Sequence, residues 1–279
     1  MNRRLLFWSA SQATAFALVL AAAGCGGGGS TPTTTTAPPP PKPFRVVFPE
    51  GFTRAQMAQR VQAVAKIAFH EKHVHPKLSA RTYLAASGPR RVAGFGAQKR
   101  KLEGFLFPAT YDFLKNTTSR QLVHAQLLAF AENWRHVGLT YAESKNLTPY
   151  DVLTIASIVE REAVVPSERK LVAAVIYNRL HAHMPLGMDS TIRYGLNVPG
   201  TKPLLESELN SDNPYNTRKF LGLPPTPIAN PGLASIEAAA HPAHVDYLYF
   251  VRKPDHRHHF FTSSSTVFNQ YLCAHGYGC

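Results

Sequence analysis

Cysteine is nearly absent from this chain: Cys25, Cys273 and Cys279 are the three among 279 residues. Such scarcity excludes a fold stapled by a disulfide framework and a metal centre built on clustered thiolates. The last two cysteines are close enough in sequence to close a small loop in an oxidising compartment, and they are expected to pair. Acidic residues are also few, 17 Asp and Glu against 30 Lys and Arg, for a net charge of +13. That excess favours an anionic partner such as nucleic acid, acidic headgroups or an acidic wall polymer. The basic residues form no stripe and no nucleic-acid-binding motif, so a nucleic-acid partner is not expected. Long uninterrupted apolar runs are lacking too. The stretch LLFWSASQATAFALVLAAAG is broken by Ser9, Ser11, Gln12 and Thr14, which makes it marginal as a membrane-spanning helix. Hydrophobic residues still make up 44% of the chain, enough for a sizeable core in one or two domains.

The first residues, MNRR, supply positive charge ahead of that apolar stretch, and Cys25 follows it. Three readings stay open: a cleaved secretion signal, an uncleaved single-pass anchor, and a lipoprotein signal. AAGC resembles a bacterial lipobox, with Ala22 where Leu is usual. Each reading sends the remainder out of the cytoplasm, and the expectation is a cell-membrane protein held by residues 1–25. Residues 26–43, GGGGSTPTTTTAPPPPKP, form a linker: glycines loosen it, prolines stiffen its end, and it offers no core.

At 44–48 FRVVF reads as a strand, Pro49-Glu50-Gly51 as a turn, and Thr53 as the cap of a helix carrying Met57, Val61 and Val64 inward. A strand, tight turn and helix resemble the opening of a LysM-like module, here assigned to 44–101 with the basic loop GPRRVAGFGAQKRK at its end. His70, His73 and His75 lack carboxylate or cysteine partners at ligand spacing, so no metal is expected. From Leu102 to Leu272 helical and strand patterns alternate with turn-rich loops, which predicts a mixed α+β domain. Residues 273–279 are left as a Cys-containing tail.

Within that domain, VLTIASIVEREA at 152–163 ends an apolar run in two glutamates. Thr148 as N-cap, Pro149 in the first turn and Asp151 near the positive dipole end predict a helix start. Val152, Ile155, Ala156 and Val159 make its buried face. Glu160 and Glu162 both flank that face, so periodicity leaves open which of them faces a ligand. Glu160 lies above the small residues Ala156 and Ser157, which leave room beside it.

The blocks ASIVEREA, VIYNRL, LGMDSTIRYGL and NPYNTRKFLGLPPTPIANPGLASIEAAAHPAHVDYLYFV, with LEGFLFPATYDF at 102–113, resemble the YceG-like endolytic murein transglycosylases. The resemblance implies an N-terminal anchor, a LysM-like module and a catalytic domain at 102–272. It implies cleavage of peptidoglycan glycan strands between N-acetylmuramic acid and N-acetylglucosamine, leaving a 1,6-anhydro end and terminating nascent strands. It also implies membrane location, cell-wall synthases as neighbours, and no cofactor.

On the same resemblance Glu160 becomes the catalytic acid. Most glycosidases use two carboxylates; one suffices where the sugar's own 6-hydroxyl attacks. Such an acid must carry its proton near neutral pH, which apolar surroundings favour. Substrate contacts are expected from Glu162, Asn178, Asp189, Tyr215, Asn216 and Thr217. For Asp189 a turn-capping role stays open, and Gly187, Met188 and Ser190 depart from the family's usual residues there. Two rivals remain: a wall hydrolase pairing Glu160 with Glu162 or Asp189, and a noncatalytic wall-binding protein.

Overall fold

The structure is a computed structural model that describes residues 42–277. The expected signal or anchor, Cys25, nearly all of the linker and Cys279 lie outside the described residues. Among the described residues no helix is long and apolar enough to cross a membrane.

Strand β1 (Phe44–Val47) sends Val46 into the core and leaves Arg45 and Val47 exposed, the alternation a half-buried strand requires. The Pro49-Glu50-Gly51 turn follows, with Gly51 at φ 76°, a left-handed conformation that suits glycine. Helix α1 (Arg54–Lys72) then begins on a complete capping box: the Thr53 hydroxyl accepts from Gln56 N, and the Gln56 side chain accepts from Thr53 N. Helix α2 (Ala80–Ala86) starts the same way on Ser79 and Thr82. Strand β2 (Thr110–Phe113) returns antiparallel to β1, with Phe44 opposite Phe113 and Val47 opposite Thr110.

That pairing crosses the boundary expected between residues 101 and 102. The partner of β1 comes from TYDF, inside the block assigned to the catalytic region. A strand leaves backbone donors and acceptors unpaired until a second strand arrives, and the nearest one lies past the expected cut. One continuous apolar cluster runs from Val46, Met57 and Tyr83 through Phe105 and Phe130 to Ile155 and Ile176, so the two regions share a core.

The remaining chain is mainly helical. Helices α3 (Ser119–Trp134) and α4 (Thr140–Ser144) lead to α5 (Pro149–Glu162), and a 3-10 turn at Pro166–Glu168 leads to α6 (Arg169–His181). Helices α7 (Asp189–Leu196), α8 (Glu206–Leu209) and α9 (Leu233–Ala240) follow. The hairpin of β3 (Tyr249–Arg252) and β4 (His259–Thr262) and helix α10 (Ser265–Ala274) end the fold. Two small antiparallel sheets among packed helices make the architecture α+β, as expected. Cys273, on α10, is disulfide-bonded, and its partner lies outside the described residues.

Helix α5 is the centre of the molecule. Its start matches the sequence reading: Thr148 caps, Pro149 occupies the first turn, and Asp151 completes the box. Its burial is greater than the reading. In place of one apolar face, every residue from Val152 to Val159 is buried, because α6, α7 and the alanine-rich α9 enclose it. Even Ser157 is used internally: its Oγ donates to Thr154 O at 2.7 Å and accepts from Ile228 N at 3.0 Å. Each buried Val, Leu or Ile contributes roughly 1.5–3 kcal/mol, whereas an acid at a helix C-terminus costs about 0.3–1 kcal/mol. Packing therefore decides the geometry, and the helix carries its two terminal glutamates.

Candidate active site

Glu160 occupies the last turn of α5, where the helix emerges from the core, and is partly exposed. Its Oε2 accepts from the backbone N–H of Gly232, the N-cap of α9, at 3.1 Å. Among the described residues no donor bonds Oε1. The Pro49-Glu50-Gly51 turn packs onto the same helix end. A Cβ on Gly51 would lie 3.5 Å from Glu160 Cγ, and Arg161 Nη1 donates to Gly51 O at 3.4 Å. Gly51 N donates to Asn230 O at 3.0 Å, and Asn230 N returns to Phe52 O at 2.9 Å, tying the turn to the loop before α9.

That docking brings in a second carboxyl group that the sequence did not suggest. Glu50 lies against Gly232 so closely that a Cβ there would sit 2.0 Å from Glu50 Oε1. One glycine thus donates its N–H to Glu160 while its Cα touches Glu50. Burial raises the pKa of Glu50, the Glu160 charge raises it further, and Arg169 at the start of α6 opposes the shift. Glu50 stood in the sequence as an ordinary turn residue, and its 110 residues of separation from Glu160 hid the pairing.

Behind the pair sits a third carboxyl, Glu103 of the LEGF block, which is fully enclosed. Its Oε1 accepts from Arg54 N at 2.8 Å and Asn230 Nδ2 at 2.9 Å, and its Oε2 accepts from Tyr194 OH at 3.0 Å. Burial outweighs these bonds and pushes its pKa up to about 7. Glu103 therefore ties the start of α1, the loop before α9 and helix α7 together. Asn230 is wholly buried, and its Oδ1 accepts from Leu106 N at 2.9 Å.

Glu162 points elsewhere. With Arg161 and Asp189 it lines a groove of about 860 Å³, walled also by Arg193, Arg218 and Arg252. Its Oε1 accepts a long 3.4 Å bond from Ser190 N. Asp189 opens α7, and its Oδ1 accepts from Arg218 Nε at 3.1 Å and Nη2 at 2.5 Å. The two glutamates left unranked by periodicity thus separate in space. Glu160 meets Glu50 and Gly232; Glu162 meets the arginine-lined groove.

The other expected contacts divide in the same way. Tyr215 is partly exposed, its hydroxyl 2.8 Å from Thr226 Oγ1 and its ring edge-on to Tyr194. Asn216 is buried, and its Nδ2 donates to Leu209 O and Ser211 O at 2.8 and 2.9 Å, which fixes the loop that carries it. Thr217 Oγ1 accepts from Met188 N at 3.0 Å and lies 2.9 Å from Thr191 Oγ1, fixing the turn into α7. Asn178 lies on a different cavity, of about 880 Å³, and its Nδ2 donates to Val245 O and Tyr247 O at 2.9 Å. It does not line the groove that holds Glu162, and its two bonds anchor the segment before β3.

Fold and site together define an α+β protein whose fully buried central helix ends in a carboxyl pair beside an arginine-lined groove. The chain belongs to the YceG-like family, whose model matches residues 33–272. It is 36% identical over 217 residues to the endolytic murein transglycosylase of Bacillus subtilis strain 168, covering 75% of this chain and 59% of that protein. It is also 36% identical over 223 residues to the endolytic murein transglycosylase of Streptococcus pneumoniae strain R6, covering 74% of this chain and 40% of that protein. The chain therefore spans between two fifths and three fifths of the length of these relatives. A crystal structure of a YceG-like protein from Listeria monocytogenes superposes with a TM-score of 0.67 at 30% identity, covering 82% of this chain and 76% of that one.

Proposed function

We propose that this chain is an endolytic murein transglycosylase acting on peptidoglycan glycan strands, with Glu160 as its acid. The observation that carries the reading is the place of Glu160: the first glutamate of ASIVEREA, held by the Gly232 N–H at the open end of a helix buried from Val152 to Val159. Glu160 gives its proton to the oxygen between N-acetylmuramic acid and N-acetylglucosamine as the C1–O bond breaks, and the bonding pair leaves with that oxygen. The 6-hydroxyl oxygen of the muramic acid then bonds to C1, and its proton passes to Glu160. Atoms balance without water, the acid is restored, and the muramic acid ends as a 1,6-anhydro sugar.

Glu162 and Asp189, on the groove, are assigned to hold the strand, and the exposed part of the Tyr215 ring offers an apolar face to a sugar. The β-α-α-β order of residues 44–113 supports a LysM-like module as a second hold on glycan. Residues 1–25 are assigned to anchor the chain in the cell membrane, facing outward beside the synthases that make the strands.

The test compares Glu160→Gln with Glu162→Gln on purified glycan strands. Loss of cleavage by a factor on the order of 10³ in the first, with product from the wild type lighter by one water than a hydrolysis product, supports the reading. Equal cleavage by wild type and Glu160→Gln overturns it. A second reading has an observation in its favour: Glu50 beside Glu160 supplies the second carboxyl of a hydrolase. Mass spectrometry separates the two, because hydrolysis leaves a reducing muramic acid.

A further inference from the structure

We propose that Glu50 is a positioning residue for the acid: its carboxylate, docked on Gly232 beside Glu160, keeps a proton in the pair so that Glu160 can donate it at neutral pH. The inference rests on the transglycosylase reading and adds a residue from outside the catalytic region to it. Its basis is triangulation about one backbone. Gly232 N donates to Glu160 Oε2 at 3.1 Å, while Gly232 Cα leaves no room for a Cβ against Glu50 Oε1. Gly51, next to Glu50, lies against the Glu160 side chain.

Burial disfavours the charged form of Glu50, and a charge on Glu160 disfavours it further, so the proton retained beside the acid sits at Glu50. A one-carboxylate mechanism needs this property. It has no partner to bring a proton, and Glu160 is not wholly buried, since the residue is partly exposed.

The charged groups around the pair come from three elements. Arg161, on α5 itself, is turned aside, its Nη1 on Gly51 O. Arg169, opening α6, attracts Glu50, but its Nε donates to Ser235 Oγ at 3.2 Å, which holds the guanidinium to α9. Glu103 stands behind Asn230, within the core. Arg169 thus opposes the retention of a proton without cancelling it, and Glu50 remains above its ordinary range.

The arrangement also couples parts of the chain. Glu50 enters the site only when the turn after β1 is docked, through the Gly51 and Asn230 backbone bonds. A protein whose N-terminal module is displaced keeps Glu160 and loses its charged neighbour.

The experiment measures kcat/KM on glycan strands from pH 5 to 9 for the full chain, for Glu50→Gln and for Glu50→Asp. In parallel, carbon-13 NMR of glutamate carboxyls follows the last proton to leave the pair, without substrate. Expected for Glu50→Gln is an alkaline limb displaced downward by on the order of one pH unit, so that activity above neutrality falls about tenfold while activity at pH 5 is unchanged. The upper carboxyl titration should move down with it, and Glu50→Asp should restore much of both. Unchanged limb and titration in Glu50→Gln overturn the proposal. Loss of cleavage at every pH with the titration unmoved also overturns it and makes Glu50 an essential base. If neither wild type nor variant cuts glycan, the transglycosylase reading fails, yet the titration still decides whether Glu50 governs the proton.

Discussion

At Gly232 the absence of a side chain has a direct chemical use. Its φ of −76° suits any residue, so backbone strain does not require glycine there. What requires it is Glu50, whose Oε1 would lie 2.0 Å from a Cβ. The obstructing atoms end a flexible side chain, so Gly232→Ala should fold normally and push the Glu50 carboxyl aside. The expected result is a small change in melting temperature, about that of an ordinary surface substitution, with an alkaline activity limb displaced as in Glu50→Gln. Thermal unfolding read beside the pH profile checks both halves. A large loss of stability with an unchanged profile would mean that the close approach is purely structural.

Among elements, those legible in the sequence are the ones with local causes. Thr53 and Thr148 announced α1 and α5 because a cap and its third neighbour form a self-contained exchange of hydrogen bonds. The ASIVEREA block singled out Glu160 as the proposed acid through resemblance, and the structure separates Glu160 from Glu162 where helical periodicity could not. Asn216, Thr217 and Asn178 show why roles are hard to read here: a polar residue in a family block has two common uses, ligand contact and loop fixation. Only the partner's position distinguishes them, and those partners are backbone groups of remote or turning segments. Glu50, Gly232 and the β1–β2 pair were illegible for the related reason that each depends on chain brought together over long separations. Asn178→Ala tests the revised role. Loss of two bonds to Val245 O and Tyr247 O should cost about 1–3 kcal/mol, measured by urea unfolding, with KM for glycan unchanged in the folded fraction. A raised KM at full stability would return Asn178 to the substrate.

For the whole molecule, Glu103 is the joint through which α1, the loop before α9 and α7 meet. Its pKa is raised from 4.5 to about 7, chiefly by burial, so between those values the folded chain holds a proton that the unfolded chain has released. The sign follows from linkage: stability falls as pH rises from 4.5 to about 7 and is flat in this respect above it. The change is on the order of a few kcal/mol. Glu103→Gln, which keeps an oxygen for Arg54 N and Asn230 Nδ2, should remove most of that slope in melting temperature against pH. An identical slope in the variant would assign the dependence to other groups.

Helix α5 has no solvent face from Val152 to Val159. A rod enclosed in this way belongs to the part of a protein that opens last, so the carboxyl at its tip has a fixed address. On the proposed function, a stiff glycan strand then meets an acid whose place is set by the packing of this helix, and the less enclosed pieces, such as α8 with no buried residue, are where room can be made. On that reading the polymer must come to the proton, since the tip is the part of the site least free to travel.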